Sequence, residues 1–216
     1  MTSDDIHFYQ PADGHGLKHD PFNAIIAPRP IGWISSQDSE GRLNLAPYSF
    51  FNAFNYKPPI IGFSSIGRKD SVRNIEQTGE FVWNLATRAL ADAMNRTAQH
   101  VPHEVDEFQL AGLTPTPSRQ VRVPRVGEAL AAMECKLADM VQLRSAAGAA
   151  VNTWLILGEV VGVHIHRSLL KDGVYDTAAA RPILRAGRWG DYAEIIPEIM
   201  FEMPRPDDVA AQRIGP

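Results

Sequence analysis

The chain has one cysteine, Cys135, so no disulfide can close within it. That usage suits a reducing compartment. Cys135 sits in MECKLADM, a run that alternates apolar and polar residues, which favours a buried inert thiol over a nucleophile. No run approaches the roughly 20 apolar residues needed to cross a bilayer. The opening MTSDDIHFYQ is acidic and lacks the basic-then-apolar layout of a signal peptide. A soluble, cytoplasmic protein with no membrane partner is the expectation. Positive charge is not in excess: 21 Lys and Arg stand against 25 Asp and Glu, a net charge of -4. Nucleic acid is therefore not expected as a partner. No Gly-x-Gly-x-x-Gly, no Walker phosphate loop and no Gly-x-Ser-x-Gly elbow is present, which argues against a Rossmann nucleotide site and a serine-hydrolase elbow. Internal repeats and low-complexity tracts are also lacking.

What is present is an ordinary globular composition, 44% hydrophobic and 21% charged over 216 residues. This supports one domain with a sizeable core. Residues 1–21 read as a polar N-terminal arm, 22–196 as the domain, and 197–216 as a Pro-rich, charged tail. Within the domain, IGWIS, APYSFFNAF and PPIIGFSS read as three strands bounded by turn signals. The polar segment Gln37–Arg42 joins the first two as a hairpin. SVRNIEQTG has helical character, with Asp70 or Ser71 able to cap it and Gly79 ending it. EFVWNLA reads as a strand, Thr87–His100 as a helix, and VDEFQLA as a short helix closed by Gly112. Residues 114–125 contain Pro115, Pro117 and Pro124 and should be extended or looped. Ala131–Arg144 and Thr153–His166 read as a long hairpin, with Gly158 a bulge or bend. Strands dominate and turn signals are close-set. The predicted class is mainly β, an antiparallel β-barrel with helical insertions.

The stretch from Arg29 to Glu80 carries the most chemistry. Arg68, Lys69 and Arg73 put three cations within six residues at a helix start that follows Gly67. A helix start offers unpaired N–H groups and partial positive charge, so phosphate could bind there. A solvated basic turn is the alternative. Elsewhere, His7, His15 and His19 with Asp13 and Asp20 match no ligand spacing, and His164 with His166 lack a visible third ligand; no metal is expected. Trp33, Trp83 and Trp154 fall in strands and should be core. Trp189 lies in a loop-like stretch, where it could stack on a ligand or pack across a dimer.

Taken in order, RPIGWISS, Gly41 before NLAPYSFFNAF, Pro58-Pro59, RKDSVRNI, GEFVWNL, LGEVVGVHI and RPILRAGRWGDY resemble the flavin reductase-like family, from about Phe22 to Glu194. The likeness is greatest to the branch with flavoredoxins and the reductase components of two-component monooxygenases, such as those for aminopolycarboxylates. This resemblance implies an FMN-binding split β-barrel that reduces FMN with NADH or NADPH, as a homodimer with FMN near the subunit interface, and a possible monooxygenase partner. It implies that Ser35, Ser36 and the segment Ala46, Pro47, Tyr48, Ser49, Phe50 and Asn52 lie along the flavin. It further implies that Arg68, Lys69, Asp70 and Ser71 form the phosphate turn, with Ser71 where relatives often carry Thr. His166 falls where many relatives would have an acidic residue and is given no catalytic weight. Hydride transfer to flavin needs no protein acid or base, so no catalytic side chain is assigned. A tightly bound FMN serving another electron acceptor, or a non-catalytic FMN carrier, are the alternatives.

Overall fold

The structure is a computed structural model that describes residues 5–206. Its centre is a seven-stranded antiparallel sheet. The strands are β1 (Gly32–Gln37), β2 (Leu43–Tyr48), β3 (Phe51–Tyr56), β4 (Pro59–Ile66), β5 (Glu80–Asn84), β6 (Ala131–Arg144) and β7 (Ala150–Ile165). Their order across the sheet is β2-β1-β5-β6-β7-β4-β3.

One consequence of that order decides the architecture. β2 and β3 are the two edges of the sheet, yet only Ser49 and Phe50 separate them in sequence. So short a link reaches at most ~11 Å. The sheet must therefore roll until its edges meet. It does so without a ladder between them: β2 pairs with β1, and β3 with β4. The result is a barrel with a split along one side. Phe50 ties the corner down, its carbonyl accepting from Ser64 N–H at 2.8 Å. The single strand expected over APYSFFNAF is thus two strands. The break is hidden in the sequence because the apolar run continues through a corner where the chain changes edge.

The hairpin of β6 and β7 forms as expected, closed by Ser145 N–H on the Ala149 carbonyl. The register shifts between Leu157 and Gly158. A Cβ on Gly158 would lie 2.3 Å from the Phe81 ring, so the barrel interior requires a glycine there.

Helix α1 (Asp70–Thr78) packs against β1 and β2, and its Val72 and Ile75 are fully buried in one cluster with Ile34, Phe63 and Phe81. Gly79 ends it in the left-handed conformation at φ 71°, its N–H on the Ile75 carbonyl. Its start differs from expectation. Lys69 is the N-cap residue, no side chain caps the helix, and Asp70 is its first residue. Asp70 instead pairs with Arg73 and His103.

The helix expected over residues 87–100 is shorter, a one-turn 3-10 segment Arg88–Leu90 followed by α2 (Ala91–Arg96). Thr97 stops it: its hydroxyl bonds the Met94 carbonyl and accepts from Trp33 Nε1–H. Helix α3 (Glu107–Ala111) has Asp106 as its cap, accepting from Phe108 N–H, and Gly112 after it at φ 69°. These helices close one end of the barrel over Trp33, Leu45, Met94, Phe108 and Val126. Trp33 is fully buried, while Trp83 and Trp154 are half-buried against the barrel core.

A small second sheet was not anticipated. Arg29–Pro30 pairs with Ile183–Arg185, which pairs with Tyr192–Glu194. It carries the late part of the chain back to the entrance of β1.

Candidate functional site at the barrel split

The split opens into a cleft of about 420 Å³. One wall is the end of β2 and its corner: Ala46, Pro47, Tyr48, Ser49 and Phe50. The facing wall is the start of α1: Lys69, Asp70, Ser71 and Arg73. Eight of the expected site residues therefore meet here, although Phe50 and Lys69 are far apart along the chain. The topology explains it. β4 returns the chain beside the β2–β3 corner, and α1 begins four residues after β4 ends.

The start of α1 can hold an anion. Its first N–H groups have no side-chain cap. Among the described residues Lys69 has no carboxylate partner, whereas the two arginines do. Arg68 pairs with Glu76 and lies outside the cleft, and Arg73 pairs with Asp70. The cluster of three cations read from sequence thus leaves one uncommitted charge, Lys69. Ser71 is buried, and its hydroxyl oxygen accepts from Asn44 Nδ2–H at 2.8 Å. That leaves the Ser71 O–H proton free to donate. The Tyr48 hydroxyl is buried in the same wall with no well-formed hydrogen bond, flanked by Ser65 and Ser71. Burial pushes this phenol above its ordinary range.

Ser35 and Ser36, expected along the flavin, do not reach the cleft. Both are fully buried. Ser35 donates to the Pro124 carbonyl at 2.7 Å and accepts from Asn84, pinning the 114–126 loop to the barrel. Ser36 accepts from Asn44 and Asn74. It thereby backs the contact between β2 and α1 that orients Ser71. Strand alternation alone would have put one of the two inward; a polar network behind the cleft buries both. Asn52 lies in a neighbouring cavity with Phe50 and Ser49. Trp189 is 98% exposed and borders another cavity with Pro47 and Ser49.

Sequence reasoning missed Asn44, Ser64, Glu107 and the loop 97–101, all of which line the cleft. Glu107 carried one signal, its place one residue after a capping Asp. Its carboxylate accepts from Leu45 N–H at 3.1 Å. Burial first, and the charges of Asp70 and Asp106 after it, hold this carboxyl above the usual range, outweighing the Leu45 contact. Asp38 behaves oppositely. Burial raises it, but the N–H groups of Arg42 and Glu40, the Arg42 charge and His103 outweigh that and keep it below the usual range. His103 lies between Asp38 and Asp70, 3.3 and 2.9 Å away, and links the hairpin to the start of α1. Cys135 is buried with its thiol pushed well up by desolvation, as an inert core residue should be.

The model of the flavin reductase like domain matches residues 26–183. Among relatives, an uncharacterized protein of Aquifex aeolicus is 37% identical over 169 residues, covering 76% of this chain and 83% of that protein. One from Deinococcus radiodurans is 36% identical over 198 residues, 86% and 84% of the two chains. Among solved structures, nitrilotriacetate monooxygenase component B from Bacillus cereus superposes with a TM-score of 0.79 at 32% identity, covering 94% of this chain and 97% of that one. Pseudomonas fluorescens 2-nitrobenzoate 2-nitroreductase gives 0.75 at 26%, with 85% and 88% covered. Desulfovibrio vulgaris flavoredoxin, at 23% identity and a TM-score of 0.73 over 90% of this chain and all of that one, shares the fold. With its rolled, split sheet and a family match spanning most of its length, the chain belongs to the flavin reductase-like family.

Proposed function

We propose that the protein is an NAD(P)H-dependent FMN reductase with its flavin in the split. The single observation that carries this is the uncapped start of α1, with Lys69 uncommitted beside it, opening on the same cleft as the backbone of residues 46–50. The donors present fit FMN: an anion site with Lys69 and the Ser71 hydroxyl at one end, the buried Tyr48 hydroxyl beside it, and Ser49 at the corner. Bound FMN would supply a ring that accepts hydride and passes electrons on.

The chain's own residues bind, orient and exclude water. Lys69, Ser71 O–H and the first N–H groups of α1 hold the phosphate. The backbone of residues 46–49 would border the ring, and Ser49, just past the end of β2, would offer donors where negative charge develops. Ser36, Asn44 and Asn74 keep α1 in position. No side chain is required to move a proton in the hydride step.

Mixing the purified protein anaerobically with FMN and then NADH or NADPH tests this reading. Flavin bleaching with a saturable dependence on nucleotide is expected. Binding of FMN without bleaching would make it a carrier. Gel filtration after reduction separates a reductase that releases reduced FMN to a monooxygenase from a flavoprotein that keeps it for another acceptor.

A further inference from the structure

Arg29 and Arg185 are direct partners on the antiparallel segments of the small sheet. Side chains of such a pair lie on one face, and like charges there repel. Neither guanidinium has a carboxylate partner among the described residues. Glu194, nearby on the same sheet, is taken by Arg181. Asp191 offers Arg185 only a long contact from its carbonyl, 3.4 Å. Arg29 is 9% exposed, and its Nε–H is buried without an acceptor. Its other contacts are the Asn23 carbonyl and the face of Phe50. Two adjacent cations, one almost wholly buried, thus stand without a counter-charge.

Their location adjoins the cleft. Arg185 lines a cavity of about 450 Å³ with Trp189, Tyr192, Pro47 and Ser49, and the last two also border the flavin cleft. Arg29 lines the cavity on the other side of Ser49. Arg185 already stacks over Tyr192 at 5.0 Å, and Trp189 presents a fully open aromatic face.

We propose that Arg185, reinforced by the field of Arg29, is the seat for the anionic group of the second substrate, a planar molecule bearing carboxylate or phosphate that rests against Trp189. This deepens the flavin reading and rests on it for the identity of the cleft. The anion could be the phosphates of the nicotinamide donor or the carboxylate of an aromatic acceptor.

Calorimetric titration of NAD+, benzoate and the neutral isostere benzamide, into the protein with and without FMN, separates these. Binding of benzoate but not benzamide, weakened about ten- to a hundredfold in Arg185→Gln, would support an acceptor carboxylate. NAD+ affinity falling by that factor with benzoate indifferent would support the donor's phosphates. Equal binding of benzoate and benzamide with NAD+ unaffected by Arg185→Gln, or no change for either anion in that variant, would overturn the proposal. Should Arg185→Gln not fold, Arg185→Lys keeps the charge but loses the planar fork, and a several-fold weakening is expected. Failure of the protein to bind FMN would sink the flavin reading alone, since the titrations without FMN still report on the seat.

Discussion

At the scale of single residues, the structure separates charges that look equivalent in sequence. Arg68, Lys69 and Arg73 are near neighbours, but Glu76 and Asp70 neutralise the two arginines. Lys69 alone remains to meet the phosphate of the proposed FMN. A charge-assisted contact of this kind contributes roughly 1.5–3 kcal/mol. Lys69→Ala should therefore weaken FMN binding by about one to two orders of magnitude. Arg68→Ala should change it less than about threefold, because an exposed pair is worth little. Flavin fluorescence quenching on titration measures both. Equal losses in the two variants would show that the phosphate sits elsewhere on the turn.

At the scale of elements, the Pro-rich segment over residues 114–126 has only a short ladder of its own, Pro115–Thr116 with Arg125–Val126, and side chains hold the turn between them. Glu134 on β6 is fully buried and accepts from the N–H groups of Arg119, Gln120 and Val121, with His164 Nε2 2.5 Å away. Burial raises this carboxyl, but the Arg119 N–H, His164 and the other two N–H groups outweigh burial and hold it below the usual range. Glu134→Gln turns an amide donor toward those N–H groups and should cost about 2–3 kcal/mol. The sign follows from linkage: a lowered folded pKa stabilises fully above the unfolded value and is lost as pH falls through the folded one. The gap in urea stability between wild type and Glu134→Gln should narrow as pH drops below about 4.5. A gap that widens in acid would contradict the assignment.

At the scale of the whole molecule, the split that makes the cleft also leaves an edge. β3 is bonded only to β4, and its residues 52–56 are exposed, including Phe54 and Tyr56. Phe22, Ile25 and Ile26 are exposed in the segment just before Arg29, and Ile26 shares a cavity with Phe54. Proteins seldom leave an edge strand and apolar side chains open together. A homodimer, which the family resemblance implies, would cover this face. Light scattering coupled to gel filtration should give twice the chain mass for wild type and a shift toward monomer for Phe54→Lys. A wild-type monomer would remove the dimer and leave β3 as a surface for another partner.

Much of this molecule was legible in its sequence because the signals were local. Alternation along residues 131–144 and the β-branched run over 153–166 mark strands, Gly79 and Gly112 mark helix ends, and the order of short motifs marks the family. Lys69 and Ser71 could be picked out because a helix start after Gly67 is itself a local feature. What the tertiary structure alone decided are the non-local outcomes. Rolling of the sheet turned one apolar run into two edge strands and set the corner between them opposite the start of α1, where the cleft lies. Packing turned Ser35 and Ser36 into buried struts, stopped α2 at Thr97, and drew Glu107 into the site. Pairing of Arg29 with Arg185 joined residues more than 150 positions apart. Sequence periodicity fixes which face of an element is apolar. Which elements then share that face depends on how the sheet closes, and that is settled only when the whole chain packs.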